Sequence, residues 1–309
     1  LQTSRSKETG GDRVISRIAK LLFLICSLLL AAFLFEGGFE PGAVFHESGK
    51  SEGELVIRML DVGQGDAILL EKDGKFALID SGDVTARPKM KAYLEKYHVK
   101  NMESVVITHP HADHIGGMLM VFAKADIKQI YDNGDPISSY IYHTYQKVIE
   151  NNHIPRRVLQ GKDKVELLPG VPFEVVGPLQ KSKERNTGSR QNNNSIVGRL
   201  KYKGFTMLFT GDAEAEEENS ILESGADIKS IVLKVGHHGS KTSTTKKFLD
   251  AVSPREAFIS CGAGNSYGHP NRSVLARIEK AGSRVYRTDR DGTITLRTDG
   301  KRYQIEKEH

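Results

Sequence analysis

The chain has 309 residues, with 44 Lys and Arg against 39 Asp and Glu, a formal net charge of +5 and 38% apolar residues. That length admits one large domain or two modest ones, and so small a positive excess does not describe a dedicated duplex-DNA binder. Two cysteines, Cys26 and Cys261, exclude a disulfide framework and CxxC metal sites.

Residues 1–20 carry Arg5, Lys7, Arg13, Arg17 and Lys20 against Glu8 and Asp12, a short basic segment. Leu21 to Phe35, LLFLICSLLLAAFLF, follows with one serine and no charge. A basic flank before such a run predicts a single-pass membrane anchor or the core of a secretory signal. Bulky Phe33 and Phe35 leave no small-x-small cleavage pattern, which favours the anchor. Positive charge before the run predicts everything after it outside the cytoplasmic membrane, or secreted if the segment is cleaved. Residues 36–53, with five glycines, read as a linker.

From Glu54 the pattern becomes globular. ELVIRMLD, DAILLE and FALIDSG read as short strands broken by glycine turns. KMKAYLEKYHV has helical spacing, ESVVITH is a buried strand, IGGMLMVFAKA a helix, DIKQIYD a strand and SSYIYHTYQKVIENN a longer helix. Strands around VELLPG and PFEVVGP open the second half. The polar loop KSKERNTGSRQNNN then leads to a hairpin, SIVGRLKYKGFTMLFTGD, turned at Lys203-Gly204. Helix and strand alternate through AEEENSILES, SIVLKVGHHGS, STTKKFLDAV, REAFISCG, NRSVLARIEKAG and SRVYRT, and a hairpin of GTITLRTDG and RYQIEKE closes the chain. Two successive halves of this kind predict an α/β fold, an αββα four-layer sandwich formed by residues 54–309.

The chemistry is concentrated in THPHADHIGG, residues 108–117. Imidazole and carboxylate together suit zinc, or manganese and iron where oxygen ligands dominate. His109 and His111 alternate and point to one ion, while Asp113 and His114 turn toward a neighbouring one. Gly116 and Gly117 are expected to let the backbone pass close to the metals. Asp66 and Gln64 in VGQGDA read as turn and support residues. Asp80 in LIDSG also fits a turn carboxylate, and Asp212 in LFTGDAE also fits a helix N-cap before AEAEEE.

THPHADHIGG resembles the signature of the metallo-β-lactamase superfamily. The wider set LDVGQGDAILLE, ALIDSG, NNNSIVGRL, LFTGDAE, LKVGHHGSKTST and YGHPN resembles one branch of it, over residues 54–298. That branch is the metallo-hydrolase domain of ComEC-type competence DNA-uptake proteins and its stand-alone relatives. The resemblance implies two divalent ions, zinc first with manganese or iron as alternatives. It implies that Asp80 orients ligand histidines through hydrogen bonds and that Asp212 bridges the ions. Of the pair in GHHGS, it implies His237 as ligand to the second ion and His238 as the acid that protonates a leaving oxygen, or the reverse. His269 is implied as ligand or proton donor, with Asp113 also at the catalytic centre. The chain departs at the third motif. Many relatives supply a third histidine to the first ion there, where this sequence has Asn192, Asn193, Asn194 and Ser195.

Metal-activated water attacks phosphorus or a carbonyl carbon alike. Lys181, Lys183, Arg185 and Arg190 in one loop, and Lys241, Lys246 and Lys247 in another, favour an anionic phosphodiester, including single-stranded nucleic acid. Lys241, Asn194, Ser195 and Tyr267 are the expected substrate contacts, Tyr267 as a stacking surface for a base. Two alternatives stay open: a hydrolase of lactams, lactones, esters or thioesters, and an accessory protein with an incomplete metal site.

Overall fold

The computed structural model describes residues 53–181 and 188–309. The expected basic segment, anchor and most of the linker lie outside the described residues, as do Lys183 and Arg185. Among the described residues no helix is long and apolar enough to cross a membrane.

Two sheets dominate. In spatial order the first consists of Tyr303–Lys307, Ile294–Thr298, Leu55–Met59, Ile68–Lys72, Lys75–Ile79, Ser104–Ile107, Ile130–Asp132 and Arg156–Val158. The second consists of Arg284–Arg287, Glu256–Ile259, Val232–Lys234, Phe205–Phe209, Val197–Tyr202, Val171–Gly177 and Lys164–Leu168. Side chains alternate across a strand, so each strand feeds two cores. Leu55, Ile57, Met59, Ile68, Leu70, Ala77, Ile79 and Val106 meet Leu200, Met207, Phe209, Val232 and Phe258 between the sheets. Their neighbours Leu69, Leu78, Val105 and Ile107 pack outward on Met90, Leu94, Met118, Val121 and Tyr145 of three helices, Arg87–Lys96, Met118–Lys124 and Tyr140–Asn151. On the far side Leu208, Leu233, Ala257 and Ile259 pack on Ile221, Phe248, Val274 and Ile278 from the helices there. Strands buried on both faces, with helices outside, make the expected αββα sandwich.

Two readings change. DIKQIYD is two strands: Asp126–Ile127 pairs with Asn101–Met102 in a separate ribbon, and Ile130–Asp132 enters the first sheet. The halves are also not successive. The closing hairpin returns to the start of the chain, where Ile294–Thr298 pairs antiparallel with Leu55–Met59. Buried Ile294 and Leu296 thereby reach the core between the sheets. The hairpin turned at Lys203-Gly204 forms as expected, with Tyr202 opposite Phe205.

The parallel strands position the site. Lys75–Ile79, Ser104–Ile107 and Ile130–Asp132 run parallel in one sheet, as do Phe205–Phe209, Val232–Lys234 and Glu256–Ile259 in the other. Ligand sites of such sheets form beyond the carboxyl ends of the strands. Asp80, His109, Asp212, His237 and Ser260 all follow those ends.

Candidate metal centre

Strand Ser104–Ile107 delivers Thr108 and His109, and a helical turn, Ala112–Ile115, swings Asp113 and His114 back toward the second sheet. Gly116 and Gly117 serve a different contact from the one expected. A Cβ on Gly117 would lie 2.0 Å from the Ser81 carbonyl, and one on Gly116 2.3 Å from the Val84 nitrogen. They let this turn close against the Ser81–Val84 loop.

Asp113, His114, Asp212 and His238 each bring one potential ligand atom within 4.8 Å of the others. His114 Nε2 is 3.3 Å from Asp212 Oδ1, and His238 Nε2 is 3.2 Å from Asp113 Oδ2 and 3.6 Å from Asp212 Oδ2. Beside them His109 Nε2 and His111 Nδ1 lie 2.9 Å apart, with Asp212 Oδ2 3.9 Å from His109 Nε2. His114 Nε2, His238 Nε2 and Asp212 Oδ1 are buried without a hydrogen-bond partner. Buried polar atoms are almost always paired, so three orphans aimed at one another fit a cation as their partner. Imidazole nitrogen and carboxylate oxygen are suitable donors for zinc or manganese.

The opposite edges of these side chains are tied down. Asp80 accepts from the Thr108 amide at 2.8 Å, the Thr108 hydroxyl at 2.7 Å and His114 Nδ1 at 2.8 Å, leaving His114 Nε2 to face the centre. His111 Nε2 lies 2.7 Å from Gln191 Oε1, which leaves its Nδ1 facing His109. His238 Nδ1 donates to the Ser260 carbonyl at 2.9 Å and lies 3.4 Å from Asp66 Oδ1. Such outer hydrogen bonds fix the tautomer of a metal-binding histidine.

His237 stands differently from its neighbour. Its side chain is 23% exposed, its Nδ1 is 3.1 Å from Glu214 Oε1, and its Nε2 is 3.7 Å from Asp212 Oδ2. It lies outside the group of four that His238 joins. His269 sits one layer farther out, its ring centroid 5.5 Å from that of His237 and 5.7 Å from that of Tyr267, which is 70% exposed.

Electrostatics follow from this crowding. Burial opposes charge at His238, yet Asp212 and Asp66 outweigh it and lift the imidazole to about 10. His114 is raised against burial by Asp212 and Asp80. Burial would raise Asp113 and Asp212, but the two imidazoles hold both below the usual carboxylate range. His109 is driven well down by burial and by His114, and His269 falls to about 4 through burial, His237 and His238. Glu214 reaches about 2, because bonds from His237, Ser189 and Asn192 overcome burial.

Two expected substrate contacts are corrected. Asn194 and Ser195 are fully buried. The Asn194 amide donates to Asp135 at 2.5 Å, and Ser195 Oγ accepts from the Asp212 amide at 3.1 Å. They hold the loop and the backbone of Asp212. Lys241 is exposed beside Thr242, whose hydroxyl donates to Glu214 at 3.1 Å. Lys181 is paired with Asp135 and Lys246 with Asp250. Three residues at the site escaped sequence reasoning: Gln191, Glu214 and Lys234. Lys234 alone left a signal, a charge inside the apolar run IVLKV.

The sequence model of the Metallo-beta-lactamase superfamily matches residues 60–263, a span that contains the histidine cluster, Asp212 and His238. The chain belongs to the metallo-β-lactamase superfamily. ComE operon protein 3 of Bacillus subtilis (strain 168) is 30% identical over 267 residues, which cover 80% of this chain and 33% of that protein. Competence protein ComA of Neisseria gonorrhoeae is 30% identical over 285 residues, covering 89% of this chain and 38% of its own length. The chain thus spans about a third of the curated relatives it matches. Among solved structures, the metallo-beta-lactamase fold protein YhfI from Bacillus subtilis superposes with a TM-score of 0.54 at 12% identity, covering 79% of this chain and 100% of its own. That likeness concerns the fold.

Proposed function

We propose that this superfamily hydrolase uses two divalent cations to cleave phosphodiesters outside the cytoplasmic membrane. The convergence of Asp113, His114, Asp212 and His238, with three buried atoms left unpaired, carries the metal part of the reading. His109 and His111 would hold one ion, Asp113, His114 and His238 the other, and Asp212 both. When bound, such a pair lowers the pKa of water to near neutrality and offsets negative charge in the transition state. Burial of His238 among carboxylates makes it the ligand in this reading, which exchanges the sequence-based roles of the two adjacent histidines. Asp113 acts as a ligand as well, and no separate catalytic step is assigned to it.

His237 takes the proton-transfer role. It lies at the mouth of the cluster, and Glu214 on its Nδ1 fixes the ring so that Nε2 faces the reacting centre. His269 and exposed Tyr267 continue outward as a stack of rings suited to a base beside the scissile phosphate. Lys241 on the adjoining loop adds positive charge for the phosphate. Similarity to proteins named for competence supports a polynucleotide substrate over a neutral ester. The basic flank and apolar run of residues 1–35 support that location.

The test is hydrolysis by the metal-loaded chain of bis-p-nitrophenyl phosphate and single-stranded DNA, set against a chromogenic lactam. Phosphodiester turnover that disappears with chelator and returns with Zn2+ or Mn2+ is expected. Turnover of the lactam alone would replace this substrate class, and failure to bind metal would remove the mechanism.

A further inference from the structure

Strand Val232–Lys234 alternates between cores, Val232 facing the other sheet and Leu233 the outer helices. Lys234 therefore turns between the sheets, at the end nearest the histidines. Its side chain is 1% exposed, and Nζ lies 2.5 Å from Asp66 Oδ2, whose side chain is equally buried. Nζ also donates to the Gly211 carbonyl at 2.9 Å and stands 4.0 Å from Asp212 Oδ1.

A buried ion pair is an inefficient source of stability, because desolvation cancels most of the attraction. Two apolar residues would join the sheets as well. The partners of this pair point to another use. The Gly211–Asp212 peptide is held by Lys234 and the His237 amide on its oxygen and by Ser195 Oγ on its nitrogen. Asp66 places its second oxygen 3.4 Å from His238 Nδ1, beside the Ser260 carbonyl to which that nitrogen donates, so it acts on this ring edge through its charge. Each member of the pair thus reaches a different ligand, Lys234 the bridging aspartate and Asp66 the histidine.

We propose that Lys234 and Asp66 are positioning residues of the metal centre: the ammonium fixes the backbone and carboxylate of Asp212, and Asp66 fixes the ring of His238. The inference rests on the two-metal reading above. It adds that the pair, drawn from opposite sheets, keeps ligands of both origins in register.

Lys234→Met alone leaves Asp66 buried without its counter-charge and endangers folding, so the informative variant is the neutral double Asp66→Asn/Lys234→Met, with Lys234→Gln beside it. The 309-residue chain is freed of metal, melted, titrated with Zn2+ and loaded with Co2+ for its visible spectrum. Hydrolysis of bis-p-nitrophenyl phosphate is separated into kcat and KM. The double variant is expected to melt cooperatively near the parent without metal, yet bind Zn2+ at one site about tenfold or more weaker. Its Co2+ spectrum is expected to change, with kcat down about tenfold or more and KM nearly constant. Parental Zn2+ affinity and spectrum in either variant would overturn the proposal, as would loss of a cooperative melt in both, which makes the pair a folding element. If the parent itself binds no Zn2+, the two-metal reading fails first, and that outcome is distinguishable.

Discussion

His237 and His238 are adjacent in sequence and opposite in surroundings. Both have left-handed backbones, with φ of 48° and 53°, a conformation that costs non-glycine residues about 1–3 kcal/mol each. This tight turn separates the two rings. One meets Asp113 and Asp212 in the interior; the other rests on Glu214 at the mouth. The contrast gives a paired expectation. On the proposed assignment His238→Ala removes a ligand, so Zn2+ stoichiometry should fall below two and phosphodiester turnover should vanish. His237→Ala should keep both ions and lose about 10²–10⁴-fold in kcat, the scale of a general acid. Metal analysis beside steady-state kinetics reads both effects, and a variant pair with the reverse pattern would restore the sequence-based assignment. His109, His111, Asp113 and His114 were readable from spacing, while Asp212, His237 and His238 entered through the family resemblance. The division of labour was not readable, because it depends on which ring a turn of unusual backbone buries.

At the scale of the element, helix Ala215–Glu223 shows what apolar periodicity overlooks. AEEENSILES reads as a helix with three consecutive glutamates, of which Glu217 and Glu218 are buried. Glu218 has a purpose in the fold, accepting from the Thr245 amide at 2.8 Å and from the Thr244 amide at the start of the following helix. Glu217 has none of this. Its Oε1 is buried without a partner beside Gly177, and burial followed by repulsion from Glu216 pushes the carboxyl up to about 8. Below the ordinary value of 4.5 the group is protonated folded or unfolded, and its contribution is fully present. Between that value and about 8 the unfolded chain gives up a proton that the folded chain keeps, so stability falls as pH rises. The decline is at most about 1.4 kcal/mol per pH unit and levels off above the folded value. Glu217→Gln should flatten it, matching the parent near pH 4.5 and exceeding it by about 2 kcal/mol or more at pH 8. Urea midpoints at the two pH values measure this. An equal difference at both would mean that Glu217 is ionised in the fold.

For the whole molecule, short apolar runs broken by turns and interleaved with helical segments were enough to read two sheets with helices outside, since strands buried on both faces are apolar throughout. Pairing across long distances was not readable, and the return of Ile294–Thr298 to Leu55–Met59 is the clearest instance. Nothing local distinguishes that hairpin from one that extends the second sheet. The same distance matters for the metal centre. His109, His111, Asp113 and His114 come from the first sheet, while Asp212 and His238 come from the second. Ions held between them, as proposed, would join the layers at the carboxyl ends of their strands. Metal that binds the folded state alone stabilises it by about 2.7 kcal/mol at a hundred times its dissociation constant. For a domain of this size that corresponds to a melting temperature about 5–10 °C higher. The rise should appear when Zn2+ is returned to chelated protein and should disappear in Asp212→Ala, which removes the carboxylate proposed to serve both ions. His111→Ala should retain part of it, because Asp113, His114, Asp212 and His238 remain to hold the other ion. A rise in Asp212→Ala as large as in the parent would mean that the stabilising ion sits elsewhere, and the two sheets would then owe their alignment at this edge to protein contacts alone.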